Sequence, residues 1–199
     1  MSDVDFGSLD LAELAEVAAD CTRCPLSGGR TTVVFGTGDP DADLMFVGEG
    51  PGAEEDRQGL PFVGRSGKLL DELLAQEVGL AREAVYIANV VKCRPPENRD
   101  PEPEEIAACR PYLQRQVELV APRVLVTLGN FATKLLLDTK DGITKLRGRR
   151  YAWGDGVVLV PTYHPAALLR GGTERVAEAR ADLVRARLSL MEAMEPSTP

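Results

Sequence analysis

Apolar residues recur along this chain in short unbroken runs that alternate with stretches of helical spacing. Residues 43–47 (DLMFV), 85–91 (VYIANVV), 123–128 (RVLVTL) and 157–161 (VVLVP) are rich in Val, Ile, Leu and Phe without polar alternation. Such runs predict strands buried on both faces. Between them the apolar positions fall three and four apart, through Leu69, Leu70, Leu73 and Leu74 in a helix over 66–78, and again over 104–120 and 130–137. A last helix over 173–194 places Val176, Ala179, Leu183, Ala186 and Leu190 on one side. Leu11, Leu14 and Val17, with Ser8 and Asp10 as caps, predict a short acidic helix within residues 1–20, and residues 195–199 read as a frayed tail. The alternation predicts an α/β fold: a four-stranded parallel sheet flanked by helices on both faces. No linker, repeat or low-complexity stretch divides residues 1–199, so one domain is expected.

Composition narrows the class. With 199 residues, 44% hydrophobic and 27% charged, the chain is ordinary for one soluble globular domain and unlike a disordered or fibrous one. Its apolar runs fall far short of the roughly 20 residues a bilayer requires, and its N-terminus is acidic where a signal peptide is basic, which predicts a cytoplasmic protein without membrane contact. The net charge of −8 opposes a nucleic-acid partner at first sight. Six acids and no base occupy the first 20 residues, however, leaving 25 acids against 23 bases in the remainder. Within 143–150, Lys145, Arg147, Arg149 and Arg150 stand without an acid, a pattern able to neutralise phosphates, with a merely solvated loop as the alternative.

In open α/β sheets ligands bind beyond the carboxyl ends of the strands. Those ends carry the turn 48–52 (GEGPG), residues 89–93, Gly129 and Asn130, and residues 163–165. The glycine-rich turn exposes backbone N–H groups and carries Glu49 to the sheet mouth, but Glu49, Glu54, Glu55 and Asp56 would repel a nucleotide phosphate. His164, the sole histidine, follows a strand and precedes Pro165, so it is expected at the same edge as Glu49. A carboxylate and an imidazole there suit hydrolysis, one positioning water and the other stabilising a developing oxyanion. Leu168, Leu169 and Arg170 form an apolar tip with a cation, a combination that can wedge into a base stack or simply start a helix. Cys21 and Cys24 form a C-x2-C pair, and Cys93 and Cys109 flank fifteen residues. Four sulfurs so placed can converge on one tetrahedral site for zinc or an iron–sulfur cluster, between which spacing does not choose.

Taken in order, the cysteine frame, GEGPGAEED running into GLPFVG, ANVVKCRP, KLRG and HPAALLR resemble the iron–sulfur family 4 uracil-DNA glycosylases over residues 21–170. The resemblance implies a single α/β domain that removes uracil from single- or double-stranded DNA, acting as a monomer. By the same resemblance Cys21, Cys24, Cys93 and Cys109 would ligate a structural 4Fe-4S cluster, and Phe62 would stack on the flipped base. Asn89 would face the Watson–Crick edge of uracil, whose O4 accepts and N3–H donates where cytosine presents the reverse. His164 would hydrogen-bond near uracil O2, with Glu49 and the Gly50 backbone holding water or the base. Glu55 or the turn would exclude the thymine methyl, and Lys145, Arg147, Arg149, Leu168, Leu169 and Arg170 would meet DNA. The best-known uracil glycosylases carry a water-activating aspartate where this chain has Gly50, so Glu49 inherits that role. A related group links covalently to uracil through a histidine in an inserted loop; residues 95–102 (PPENRDPE) contain none, which predicts turnover. The rival readings are a catalytically silent DNA-binding or polymerase-associated module and a zinc-binding nucleotide hydrolase.

Overall fold

The structure, a computed structural model, describes residues 4–195. Four parallel strands form its centre: β2 (Leu44–Gly48), β3 (Tyr86–Asn89), β4 (Val124–Leu128) and β6 (Val157–Thr162). Two short strands, β1 (Thr37–Gly38) and β5 (Tyr151–Trp153), pair antiparallel at the edges, giving the order β1-β3-β2-β4-β6-β5. The expected four-stranded sheet therefore has six. Neither edge strand is long enough or apolar enough to show as a strand in the sequence, because each is set by pairing to its neighbour rather than by its own side chains.

The two sheet faces bury separate cores. On one, α3 (Arg65–Leu73) and α7 (Pro165–Met194) cover Leu44, Phe46, Ile87, Val126 and Val160. On the other, α1 (Leu11–Ala19) and α4 (Pro103–Val120) cover Met45, Val47, Tyr86, Ala88 and Leu125. Adjacent residues of one strand thus serve opposite cores, which is why β2 is buried at every position and lacks alternation. Asp10 caps α1 as predicted, accepting from the Ala12 and Glu13 N–H groups at 2.9 Å. Residues 1–3 and 196–199, including most of the expected frayed tail, lie outside the described residues.

Short helices α2 (Ala53–Gln58), α5 (Asn130–Leu137) and α6 (Ile143–Leu146) complete the connections. Gly172, with φ 75, breaks α7 into a short first segment from Pro165 and a long second one that starts where the sequence placed it, at residue 173. Among the described residues no helix is long and apolar enough to cross a membrane.

Candidate active site

Strand β2 is flanked by β3 on one side and β4 on the other, so successive connections leave it toward opposite sides and a crevice opens at its carboxyl end. A cavity of about 630 Å³ occupies that crevice, lined among others by Glu49, Gly50, Glu55, Phe62, Asn89, His164 and Arg170. The three side chains expected to surround a base therefore meet. Asn89 ends β3 with 1% of its surface exposed, and its Oδ1 is buried without a hydrogen-bond partner among the described residues. Leaving such an acceptor unpaired costs on the order of 1–3 kcal/mol. The Phe62 ring lies 5.5 Å from the His164 ring, tilted by 34°. Gly48 makes this closeness possible: a Cβ there would stand 2.4 Å from Asn89 Oδ1 and 2.5 Å from Phe62 Cζ.

The Phe62 backbone is held in the left-handed region at φ 52, a conformation that persists only where its surroundings enforce it. Glu55 Oε1 accepts from the N–H groups of Val63 at 3.0 Å and Gly64 at 2.9 Å. Arg82 donates to the Phe62 carbonyl at 3.1 Å and to the Pro61 carbonyl, and is itself fixed by Asp71 at 2.8 Å. Behind the turn, helix α3 abuts the Phe62 carbonyl so closely that a Cβ on Gly67 would fall 1.7 Å from it. Glu55 thus serves as a strut of the Phe62 turn as well as a wall of the cavity.

His164 accepts the Ala166 N–H at Nδ1 over 3.1 Å, which leaves the proton of the neutral ring on Nε2. Burial first, then the Arg170 charge, push its pKa down to about 4, against a smaller upward pull from Glu55. At neutral pH the ring is an uncharged donor. Glu49 moves the other way: burial, reinforced by Asp100, pushes its carboxyl up to about 7. A carboxylate that exchanges its proton near neutrality beside a neutral imidazole is an arrangement suited to hydrolysis.

The family model of the Uracil DNA glycosylase superfamily matches residues 35–186. A type-4 uracil-DNA glycosylase of Thermotoga maritima is 53% identical over 163 residues, covering 79% of this chain and 84% of that protein. Those of Sulfurisphaera tokodaii and Archaeoglobus fulgidus are 48% and 46% identical, each over 80% of this chain and over 76% and 83% of their own lengths. The chain belongs to the type-4 uracil-DNA glycosylase family.

In this family member the four cysteines also come together. Cys21, Cys24, Cys93 and Cys109 line one bay beneath α1 and α4, with Arg30, Lys92 and Tyr112. All four are free of disulfides. Burial raises the Cys24 and Cys93 thiols and pushes Cys109 up to about 11, so without a metal these sulfurs hold their protons. Cations and N–H groups point at them nonetheless: Arg30 reaches Cys93 Sγ at 3.5 Å, and the Lys92 N–H donates to Cys109 Sγ at 3.3 Å. An all-sulfur donor set with such partners fits a thiolate-bound metal group.

The expected DNA contacts divide. Arg170 lines the cavity, Leu169 is 44% exposed, and Arg149 is exposed without an ion pair among the described residues. Lys145 is exposed and paired with Asp141 at 2.8 Å, and Arg150 is paired with Glu192. Two expectations are corrected. Leu168 is 4% exposed and packs into the α3–α7 core, so it is no wedge. Arg147 donates through Nε and Nη2 to the buried Asp182, at 2.9 and 3.0 Å, and also to Glu178. Its donors are taken within the protein, and it pins the 146–148 loop to α7. Sequence reasoning missed Arg82, Asp182 and Lys92, because isolated charges announce no partner until the chain folds.

Proposed function

We propose that the protein excises uracil from DNA by receiving the flipped base in the cavity between Gly48, Phe62, Asn89 and His164. The observation that carries this reading is the buried, unpartnered Oδ1 of Asn89 beside an aromatic face. Uracil supplies what that atom lacks, because its N3–H donates to Oδ1 while its O4 accepts from the amide Nδ2. Cytosine would set an acceptor against Oδ1 and a donor against Nδ2, and a site built for one hydrogen-bond pattern rejects its reverse by several orders of magnitude.

Phe62 stacks on the base and keeps its plane aligned with the amide. As the glycosidic bond lengthens, negative charge gathers on the departing uracil, and the His164 Nε2–H donates to its O2. A neutral donor suits this role because it needs no proton exchange while the charge develops. Glu49, ionised above pH 7, orients the attacking water and stabilises the positive sugar. The Gly50 backbone lines the same wall, and Arg170, Arg149, Lys145 and the exposed Leu169 form the surface that meets the flanking DNA. Every one of these groups comes from one chain, so a monomer suffices.

Cys21, Cys24, Cys93 and Cys109 would hold a 4Fe-4S cluster, which supplies a rigid cross-link between the N-terminal loop, the 90–93 segment and α4 rather than a chemical step. The all-sulfur donor set suits either zinc or a cluster, and the resemblance to the iron–sulfur glycosylases is what favours the cluster. Reduced thiols and a DNA substrate fit a cytoplasmic setting.

The test is excision from an oligonucleotide carrying one uracil, with protein purified anaerobically and its iron counted. The wild type is expected to leave an abasic site, and Asn89→Asp to lose uracil preference while keeping its affinity for abasic DNA. Unchanged uracil excision by Asn89→Asp would remove the recognition role.

A further inference from the structure

Lys92 is buried, with 2% of its surface exposed, although it is a lysine. Its Nζ donates to the Asn89 carbonyl at 2.7 Å and to Gln116 Oε1, and it lies 6.0 Å from the centre of the Phe35 ring. No carboxylate forms a salt bridge with it among the described residues. The backbone of the same residue is tied to the sulfur bay: Lys92 lines it, and the Lys92 N–H donates to Cys109 Sγ at 3.3 Å.

Helix α4 supplies both anchors. Cys109 and Gln116 stand seven residues apart, two turns along one face. Gln116 is in turn fixed through Nε2 by the Phe35 carbonyl at 2.9 Å and by Tyr86 Oη at 3.1 Å. The ammonium therefore connects a rigid, sulfur-bearing helix to the last residue of β3. On the other side of that residue the Asn89 amide faces the cavity, and the following N–H groups of Val90 and Val91 donate to the carbonyls of Gly48 and Glu49 at 2.9 and 3.0 Å. One cation thus lies behind both the amide and the turn carrying Glu49.

We propose that Lys92 is a positioning residue, held in place by Gln116 and by its backbone link to the cysteine bay, that fixes the Asn89 backbone so its amide meets the uracil edge. The bay then affects excision through the geometry of base recognition. This inference rests on the reading of Asn89 as the uracil-recognising residue, and wild-type excision in the same assay tests that reading separately.

The experiment compares Lys92→Met and Gln116→Leu with wild type, all isolated anaerobically with iron counted. Excision of uracil under single-turnover conditions is expected to fall roughly 10- to 100-fold for Lys92→Met and roughly 3- to 10-fold for Gln116→Leu, the shorter loss because Asn89 keeps its lysine. Affinity for an oligonucleotide bearing a stable abasic-site analogue, which presents no base, is expected to stay within about twofold. Hydrogen exchange at residues 89–91 is expected to rise in both variants, ahead of exchange elsewhere in the sheet. If abasic-site affinity falls in step with excision, the lysine supports the fold at large and the inference fails. It fails equally if excision is unchanged. Should Lys92→Met not fold, Gln116→Leu alone decides, since it lies two helical turns from the nearest cysteine ligand.

Discussion

Glu49→Gln separates the cost of the carboxyl from its use. Burial and the neighbouring Asp100 raise Glu49 from its ordinary 4.5 to about 7 in the folded protein. That gap of about 2.5 in pKa corresponds to roughly 3 kcal/mol at 1.36 kcal/mol per unit, an upper bound because water still reaches part of the carboxyl. The sign follows from the two values. Below pH 4.5 the group is protonated both folded and unfolded and imposes nothing. Between pH 4.5 and 7 the unfolded chain ionises first, so stability falls as pH rises, and above 7 the full penalty stands. The amide carries no charge at any of these values. Glu49→Gln is therefore expected to match wild type at pH 4.5 and to unfold higher at pH 8, by at most roughly 6 to 12 °C at 2–4 °C per kcal/mol for a chain of this size. Excision should meanwhile drop by roughly a hundredfold or more, as for the loss of a general base. Thermal unfolding under anaerobic conditions at one scan rate, from pH 4.5 to 8, reads the first effect, and single-turnover excision reads the second. A difference in unfolding temperature that does not change with pH would refute the electrostatic account of Glu49.

Gly48→Ala places a methyl group 2.4 Å from Asn89 Oδ1 and 2.5 Å from Phe62 Cζ, so it is expected to close the cavity and abolish excision while retaining iron and a cooperative unfolding transition. Detectable wild-type turnover would show that the base binds elsewhere. Arg147→Ala leaves Asp182, fully buried, with Arg185 at 3.3 Å as its one remaining cation beside the Thr162 hydroxyl and the Gly148 N–H, and is expected to destabilise the fold by about 3–5 kcal/mol without altering the salt dependence of DNA binding. Arg149→Ala is expected to do the converse, flattening the logarithmic salt slope by about one with stability unchanged; DNA titrations from low to high salt distinguish the pair.

The four central strands were legible in the sequence because parallel strands buried on both faces are nearly continuously apolar, as residues 44–47 and 124–126 are. Their order was not. That β2 lies between β3 and β4 is a matter of pairing across distant segments, and it alone places the crevice at Gly48. That Glu49, Phe62, Asn89 and His164 would gather at one sheet edge could be read from strand ends and motif resemblance, and all four line the one cavity there. Their electrostatic state could not: His164 is neutral because burial and Arg170 outweigh Glu55, and Glu55 comes from α2, far away along the chain. The same limit explains Arg147 and Leu168. Both stand in stretches that read as a DNA-facing surface, and only tertiary packing turned one toward Asp182 on α7 and the other into the α3–α7 core. Periodicity reports whether a residue prefers to be buried, whereas which partner neutralises a buried charge depends on contacts made across the whole chain.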